Sequence, residues 1–199
     1  MESITLAITG ASGAPYAIRL LQFLLDADFH VHLLVSKAAQ MVMAVEDNKP
    51  WPTNHEKLEQ HIRETLSRSG QLSIYGKEDW MSPVASGSGA PDKMIVCPCS
   101  TGTLASIATG QCDNLIERAA DVVLKENGIL ILVTRETPLS EIHLQNMLAV
   151  KRAGAVILPA SPGFYNQPKE IADLVDFVVA RILKAAKIPQ SLLAPWGHQ

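Results

Sequence analysis

The sequence predicts an α/β fold: a single doubly wound domain, Rossmann-like or flavodoxin-like, built on a mostly parallel sheet. Three observations lead there. Apolar runs of strand length alternate with helical patterns from Ile4 to Lys187, as in successive strand–helix–strand units. Several of those runs are apolar at nearly every position, not at alternate ones, as strands covered on both faces are. The 199 residues carry no internal repeat and suit one domain, with a core large enough to need no metal or disulfide.

The elements run in this order. Ile4 to Ile8 is a continuous apolar-plus-Thr run and reads as a strand. It breaks at Thr9-Gly10-Ala11-Ser12-Gly13. Ala14-Pro15 then opens a helix whose Ile18, Leu21, Leu24 and Leu25 recur at helical spacing. Pro15 is tolerated because a first turn has no use for the missing N–H. His30 to Val35 is a second strand ended by Ser36, and Lys37 to about Glu46 is a helix, which makes a right-handed parallel crossover. Asp47 to Asn54, with Pro50 and Pro52, is a break, and His55 to Ser69 a charged helix with a solvated face. Leu72 to Tyr75 is a short strand. Ser82 to Pro91 holds seven Gly, Ser or Pro in ten positions and reads as a mobile loop. Lys93 to Cys97 starts a buried strand that Pro98 and Cys99-Ser100-Thr101-Gly102 break, and a helical segment comes next. Then come a helix over Asn114 to Glu126, a strand over Gly128 to Thr134 and a helix over Leu139 to Ala153. A strand over Ala155 to Pro159 and a long helix over Lys169 to Lys187 close the chain.

Composition removes several function classes. A formal net charge of −3 provides no basic field for nucleic acid, and 5% aromatic residues are too few for base-stacking platforms. Cys97, Cys99 and Cys112 are an odd, sparse set, unlike a disulfide framework, and C-x-C plus one distant Cys lacks zinc spacing. Core thiols and no metal are expected. The uncharged stretch from Met94 to Cys112 has the length of a membrane span, but Pro98, Gly102, Gly110, Gln111 and its hydroxyls divide it into strand, turn and helix. No export signal is visible at Met1-Glu2-Ser3, so a cytoplasmic protein is expected. His30 and His32 share one strand face with no ligand partner nearby in sequence and read as structural.

In doubly wound sheets ligands bind beyond the carboxyl ends of the strands. The residues just past each strand are therefore informative. Gly10-Ala11-Ser12-Gly13 come after the first, Ser36 after the second, and Ser100-Thr101-Gly102-Thr103 after the strand begun at Lys93. Arg135-Glu136 come after the next, and Pro162-Gly163-Phe164-Tyr165 after the last. Small residues, hydroxyls and one arginine collect on a single edge, which fits a phosphorylated, nucleotide-like ligand. Each piece alone has an ordinary alternative. Ser36, Ser100 and Thr101 suit helix N-caps. Ser12 stands where G-x-G-x-x-G requires its second glycine, and no P-loop is present. Arg118 and Lys125, two turns apart, project from one helix face that solvent alone would explain. Glu46 near a helix C-terminus is mildly unfavourable and hints at function. Glu136 is placed for acid–base work beside a phosphate, with surface ion pairing as the alternative; Thr137-Pro138 is expected to cap and start the next helix.

With these segments placed, the chain resembles the UbiX-type flavin prenyltransferases. The matching residues are Thr9 to Ala14, Ser36-Lys37-Ala38-Ala39, Ala85-Ser86-Gly87-Ser88, Cys97 to Thr103, Asn114 to Asp121, Arg135-Glu136-Thr137-Pro138, Pro162 to Tyr165 and Asp176 to Arg181. Pro15 and Ala17 depart from the first motif, at positions that point into the helix. The resemblance implies a single flavin-binding domain over 1–199. It implies transfer of a dimethylallyl group from dimethylallyl phosphate to N5 and C6 of reduced FMN, without metal. The prenylated FMN would serve a partner UbiD-type decarboxylase of the ubiquinone-pathway or phenylacrylic-acid type. By the same resemblance Gly10, Ala11, Ser12, Ser36, Ser100, Thr101, Gly102, Thr103 and Arg135 bind the flavin nucleotide. Tyr165, Arg181 and Lys125 hold the prenyl phosphate, with Arg118, Ser88 and the surrounding Ser86-to-Ser88 loop near it. Glu136 handles protons at the phosphate, with Ser12, Glu46 and Lys125 in the catalytic set. The family forms homo-oligomers, commonly dodecamers, with sites between subunits. Trp80, Tyr165 and Trp196 are candidate aromatic walls for a developing allyl cation, and the tail at about 188–199 is a candidate lid or oligomer contact. The competing expectations are an FMN-dependent cysteine decarboxylase of the same fold, which would want an active-site histidine, and a non-catalytic flavin-binding partner of a decarboxylase.

Overall fold

The structure is a computed structural model and describes residues 1–46, 50–67 and 69–194. Among these, six parallel strands form one sheet: β1 (Ser3–Ile8), β2 (His30–Val35), β3 (Gln71–Tyr75), β4 (Lys93–Cys99), β5 (Ile129–Thr134) and β6 (Val156–Ile157). Their order is β3-β2-β1-β4-β5-β6. This is the order of dinucleotide-binding doubly wound folds, and its reversal falls between β1 and β4. Seven α-helices accompany the sheet among the described residues: α1 (Ala14–Asp26), α2 (Lys37–Glu46), α3 (His55–Thr65), α4 (Thr101–Ala108), α5 (Leu115–Lys125), α6 (Glu141–Arg152) and α7 (Ile171–Ala185).

The sheet separates two cores, because successive strand residues point to opposite faces. Ile4, Leu6 and Ile8 of β1 share one core with Val31, Leu33, Ile131 and Val133 and with the apolar stripes of α1, α3 and α7. The intervening Ala7, Leu34, Met94, Val96, Leu130 and Leu132 share the other with Leu104 of α4 and Leu115, Ala119 and Val123 of α5. Each fully buried Leu or Ile contributes roughly 1.5–3 kcal/mol, so these uninterrupted apolar strands fix the sheet at the centre. Outside it, Arg19 donates to both carboxylate oxygens of Asp176 (2.6 and 3.2 Å), pinning α1 to α7.

Four expectations change. Strand β4 continues through Pro98 to Cys99, because the proline falls where the register with β5 shifts between Val96 and Cys99 and no ladder donor is needed. Ser82 to Pro91 is not irregular throughout. Pro83–Ala85 forms a 3-10 turn with Val84 fully buried against the α5 core. Helix α6 starts at Glu141, not at Pro138: Ser140 caps it, its hydroxyl accepting the His143 N–H while His143 Nδ1 accepts the Ser140 N–H. Helix α3 stops at Thr65, short of Ser69.

Candidate active site at the carboxyl edge

Beyond β1 the chain turns through Thr9 to Gly13 into α1. Gly13 has φ +127°, a conformation that glycine alone adopts without strain. At Gly10 a Cβ would lie 2.5 Å from the Ala38 Cβ, so glycine there lets α2 come close. Helix α2 leaves β2 at Ser36, at the carboxyl edge, and its last residue reaches the head of α1 at that same edge. It therefore crosses the edge instead of descending beside the sheet. Glu46 accepts the Gly13 N–H on both carboxylate oxygens (3.0 and 3.2 Å) and the Ala14 N–H on one (2.8 Å). Burial by itself raises the Glu46 pKa. The hydrogen bond from the Ser12 hydroxyl, the two backbone N–H groups and the charge of Arg135 outweigh it and hold the carboxyl below its usual range.

The next strand end is tied to the first by Thr9, which is 2% exposed. Its hydroxyl donates to the Pro98 carbonyl (2.8 Å) and accepts the Ser100 N–H (2.8 Å). Ser100 caps α4: its oxygen accepts the Thr103 N–H (3.2 Å) and its hydroxyl reaches the Thr103 Oγ1 (3.0 Å). A Cβ at Gly102 would meet nothing within 4 Å, so the first turn of α4 faces open space with its helix-head amides available to an anion. Ser36 caps α2 by accepting the Ala39 N–H (3.0 Å). Capping and ligand binding are compatible here, since each serine oxygen keeps a second lone pair.

Arg135 comes directly after β5 and is half-buried. Its Nε is buried without a hydrogen-bond partner among the described residues, an unsatisfied donor in a site otherwise well paired. Glu136 beside it is exposed and accepts the Thr137 N–H (3.0 Å). Both line a hollow of about 240 Å³ with Thr134, Thr137, Pro159 and Ser161. Gly10, Ala11, Ser12, Ser36, Glu46, Ser100 to Thr103, Arg135 and Glu136 thus share the carboxyl edge. Thr9 heads the first motif, and sequence reasoning assigns it no role; a hydroxyl on the last residue before a glycine turn is the signal that could have found it.

The remaining candidates lie elsewhere in the chain. Helix α5 starts at the carboxyl edge, where the Leu115 N–H reaches the Lys77 carbonyl, and ends where β5 begins. The six residues of β5 therefore separate Lys125 from Arg135, roughly 20 Å at about 3.3 Å per residue. Lys125 pairs with Glu126, and Gly87 packs beside both. Arg118 donates to the Ala85 carbonyl (3.0 Å) and to Asp121 (2.8 Å), and Ser88 meets Ser86 (3.2 Å). Arg118, Lys125 and Ser88 thus form one cluster on the outside of α5. Tyr165 and Arg181 form another, lining a hollow of about 640 Å³ on α7 with Lys184 and Lys187; Tyr165 stands edge-on to Phe177 at 5.6 Å. Trp80 is 44% exposed and lines a separate hollow with Tyr75 and Met81. Of the tail, Leu192 and Leu193 pack on the core; Trp196 lies outside the described residues.

Cys97, Cys99 and the strand histidines are structural in their surroundings, whereas Cys112, expected in the core, is partly exposed. Cys97 and Cys99 are fully buried: burial and then Cys99 push Cys97 up, and burial pushes Cys99 up to about 12. His30 meets Ser73 (2.9 Å) and His32 meets Tyr75 (3.1 Å), and burial, then the neighbouring His30, lowers His32 to about 4.

The flavoprotein family model matches residues 1–183. A flavin prenyltransferase UbiX of Pseudomonas aeruginosa is 56% identical over 199 residues, covering 100% of this chain and 95% of the relative. A solved UbiX in complex with FMN and dimethylallyl pyrophosphate is 41% identical with a TM-score of 0.86, over 100% of this chain and 98% of that one. A dodecameric FMN-dependent UbiX-like decarboxylase from Escherichia coli O157:H7 is 39% identical with a TM-score of 0.84, over 98% of each chain.

Proposed function

The chain belongs to the flavoprotein family and, within it, to the flavin prenyltransferases, and on that premise we propose that it joins the dimethylallyl group of dimethylallyl phosphate to reduced FMN. The observation that carries this reading is the carboxyl-edge cradle: the open head of α4, two capping serines and the Nε of Arg135, unpartnered among the described residues, lie at the strand ends on and beside the place where strand order reverses. Those donors fit a phosphate-bearing flavin with polar ring atoms. Reduced FMN supplies the N5 and C6 nucleophiles. The allylic C–O bond breaks with its electron pair on phosphate, and the N5 proton leaves with that phosphate. The proton lost at C6 is balanced by one gained at the alkene carbon.

The chain's own groups divide the work. Ser100 to Thr103, Ser36 and Arg135 would hold the flavin nucleotide. Ser12, next to the Gly13 N–H that Glu46 accepts, would lie toward flavin N5. Glu136 accepts and returns protons at the departing phosphate, and its exposure in a single chain suits a site closed by another copy. Lys125, Arg118, Ser88, Tyr165 and Arg181 would stabilise charge on the leaving group. They sit on two other faces of the molecule, so the reading requires a homo-oligomer, and the dodecameric relative supports one. Exposed Met41, Val45, Ile142, Leu148 and Ile171 supply apolar surface for such contacts. The product would pass to a UbiD-type decarboxylase. A cytoplasmic location accompanies the reading, supported by three unpaired thiols.

The test is incubation with reduced FMN and dimethylallyl phosphate, in parallel with the diphosphate. Release of inorganic phosphate together with a flavin heavier by one dimethylallyl group is expected. A flavin of unchanged mass would refute transferase activity and leave a cysteine decarboxylase or a binding partner.

A further inference from the structure

In folds with this strand order the head of the first helix is the seat of a dinucleotide's pyrophosphate, because free N–H groups and the positive end of the helix dipole meet there. In this chain the seat is already taken. The Glu46 carboxylate, brought across the carboxyl edge by α2, holds the N–H groups of Gly13 and Ala14 at 2.8–3.2 Å. A second feature points the same way. The glycine whose absent side chain lets a pyrophosphate approach is here Ser12, which puts a side chain in that space.

We infer that Glu46 determines cofactor class: its carboxylate fills the pyrophosphate seat at the head of α1, closes it to dinucleotides, and leaves the head of α4 for the single phosphate of a mononucleotide. An incoming pyrophosphate would have to displace a carboxylate from both amides and then sit beside that like charge. A mononucleotide phosphate at α4 avoids both costs. The inference deepens the prenyltransferase reading and rests on it, since that reading supplies FMN as the ligand.

The experiment is equilibrium binding of FMN, FAD and NADH to the full-length wild type, Glu46→Ala and Glu46→Gln. The wild type is expected to bind FMN at least 100-fold more tightly than FAD or NADH. In Glu46→Ala the dissociation constant for FAD or NADH should fall at least tenfold, whatever happens to FMN. Glu46→Gln, which keeps the shape and removes the charge, should fall between the two and serves alone if the alanine variant does not fold. Unchanged FAD and NADH affinities in the folded variants would overturn the role of Glu46, as would a wild type that takes FAD as readily as FMN. A wild type that binds no FMN would instead overturn the reading beneath it.

Discussion

Thr9 shows how one hydroxyl can set a site. It donates to Pro98 and accepts from Ser100, so it fixes the turn after β1 against the cap of α4, a segment far away in sequence. Valine has the same shape and would leave the Ser100 N–H unpaired, while the Pro98 carbonyl would keep the Thr9 N–H (3.2 Å), a cost of about 1–3 kcal/mol. Thr9→Val is therefore expected to lower stability by roughly 1–3 kcal/mol and to weaken FMN at least fivefold, with Thr9→Ser restoring most of the affinity. Chemical denaturation and flavin titration measure the two effects. Loss of stability with untouched FMN affinity would make Thr9 a core residue only. Gly10, Ala11 and Ser12 stand out in the sequence because glycine and serine after a strand are conspicuous. Thr9 stays hidden, since threonine is equally at home inside a strand.

At the scale of elements, β2 and α2 are observed within the limits their apolar pattern predicts, His30–Val35 and Lys37–Glu46. Pattern could not show that α2 crosses the edge; that depends on the tertiary contact of Glu46 with α1. Nor could it show that Lys125 lies at the end of α5 away from the edge, because helical spacing fixes a face but not which end of the sheet the helix reaches. Strand pairing also gives the His30–His32 face its property. The folded pKa of His32, about 4, lies below the unfolded value of about 6.5. The associated stability is complete above pH 6.5 and is lost as pH falls toward 4, because the unfolded chain then binds the proton more readily. On the order of 1–2 kcal/mol, after partial screening by solvent, should disappear over that window in the wild type and not in His32→Gln. Urea unfolding at about pH 7 and about pH 4.5 tests this, and parallel losses in both proteins would contradict it.

The carboxyl edge gathers the strand-end hydroxyls, the helix heads and Arg135, while Lys125 and Arg181 lie away from it, so on the proposed reading a single chain is a complete fold with an incomplete site. The alternation of strands and helices made the fold legible, because uninterrupted apolar strands leave few alternatives. The cradle was legible from the short polar turns that end the strands. The placement of Lys125 and Arg181 off that edge was not, since nothing local in either residue records it. The central claim is that the carboxyl edge binds FMN through Arg135. Titration of FMN into wild type and Arg135→Ala, monitored by flavin fluorescence, tests it most directly. One FMN per wild-type chain and an affinity at least tenfold weaker in the variant are predicted. A wild type with no affinity, or a variant that binds as tightly, would contradict it.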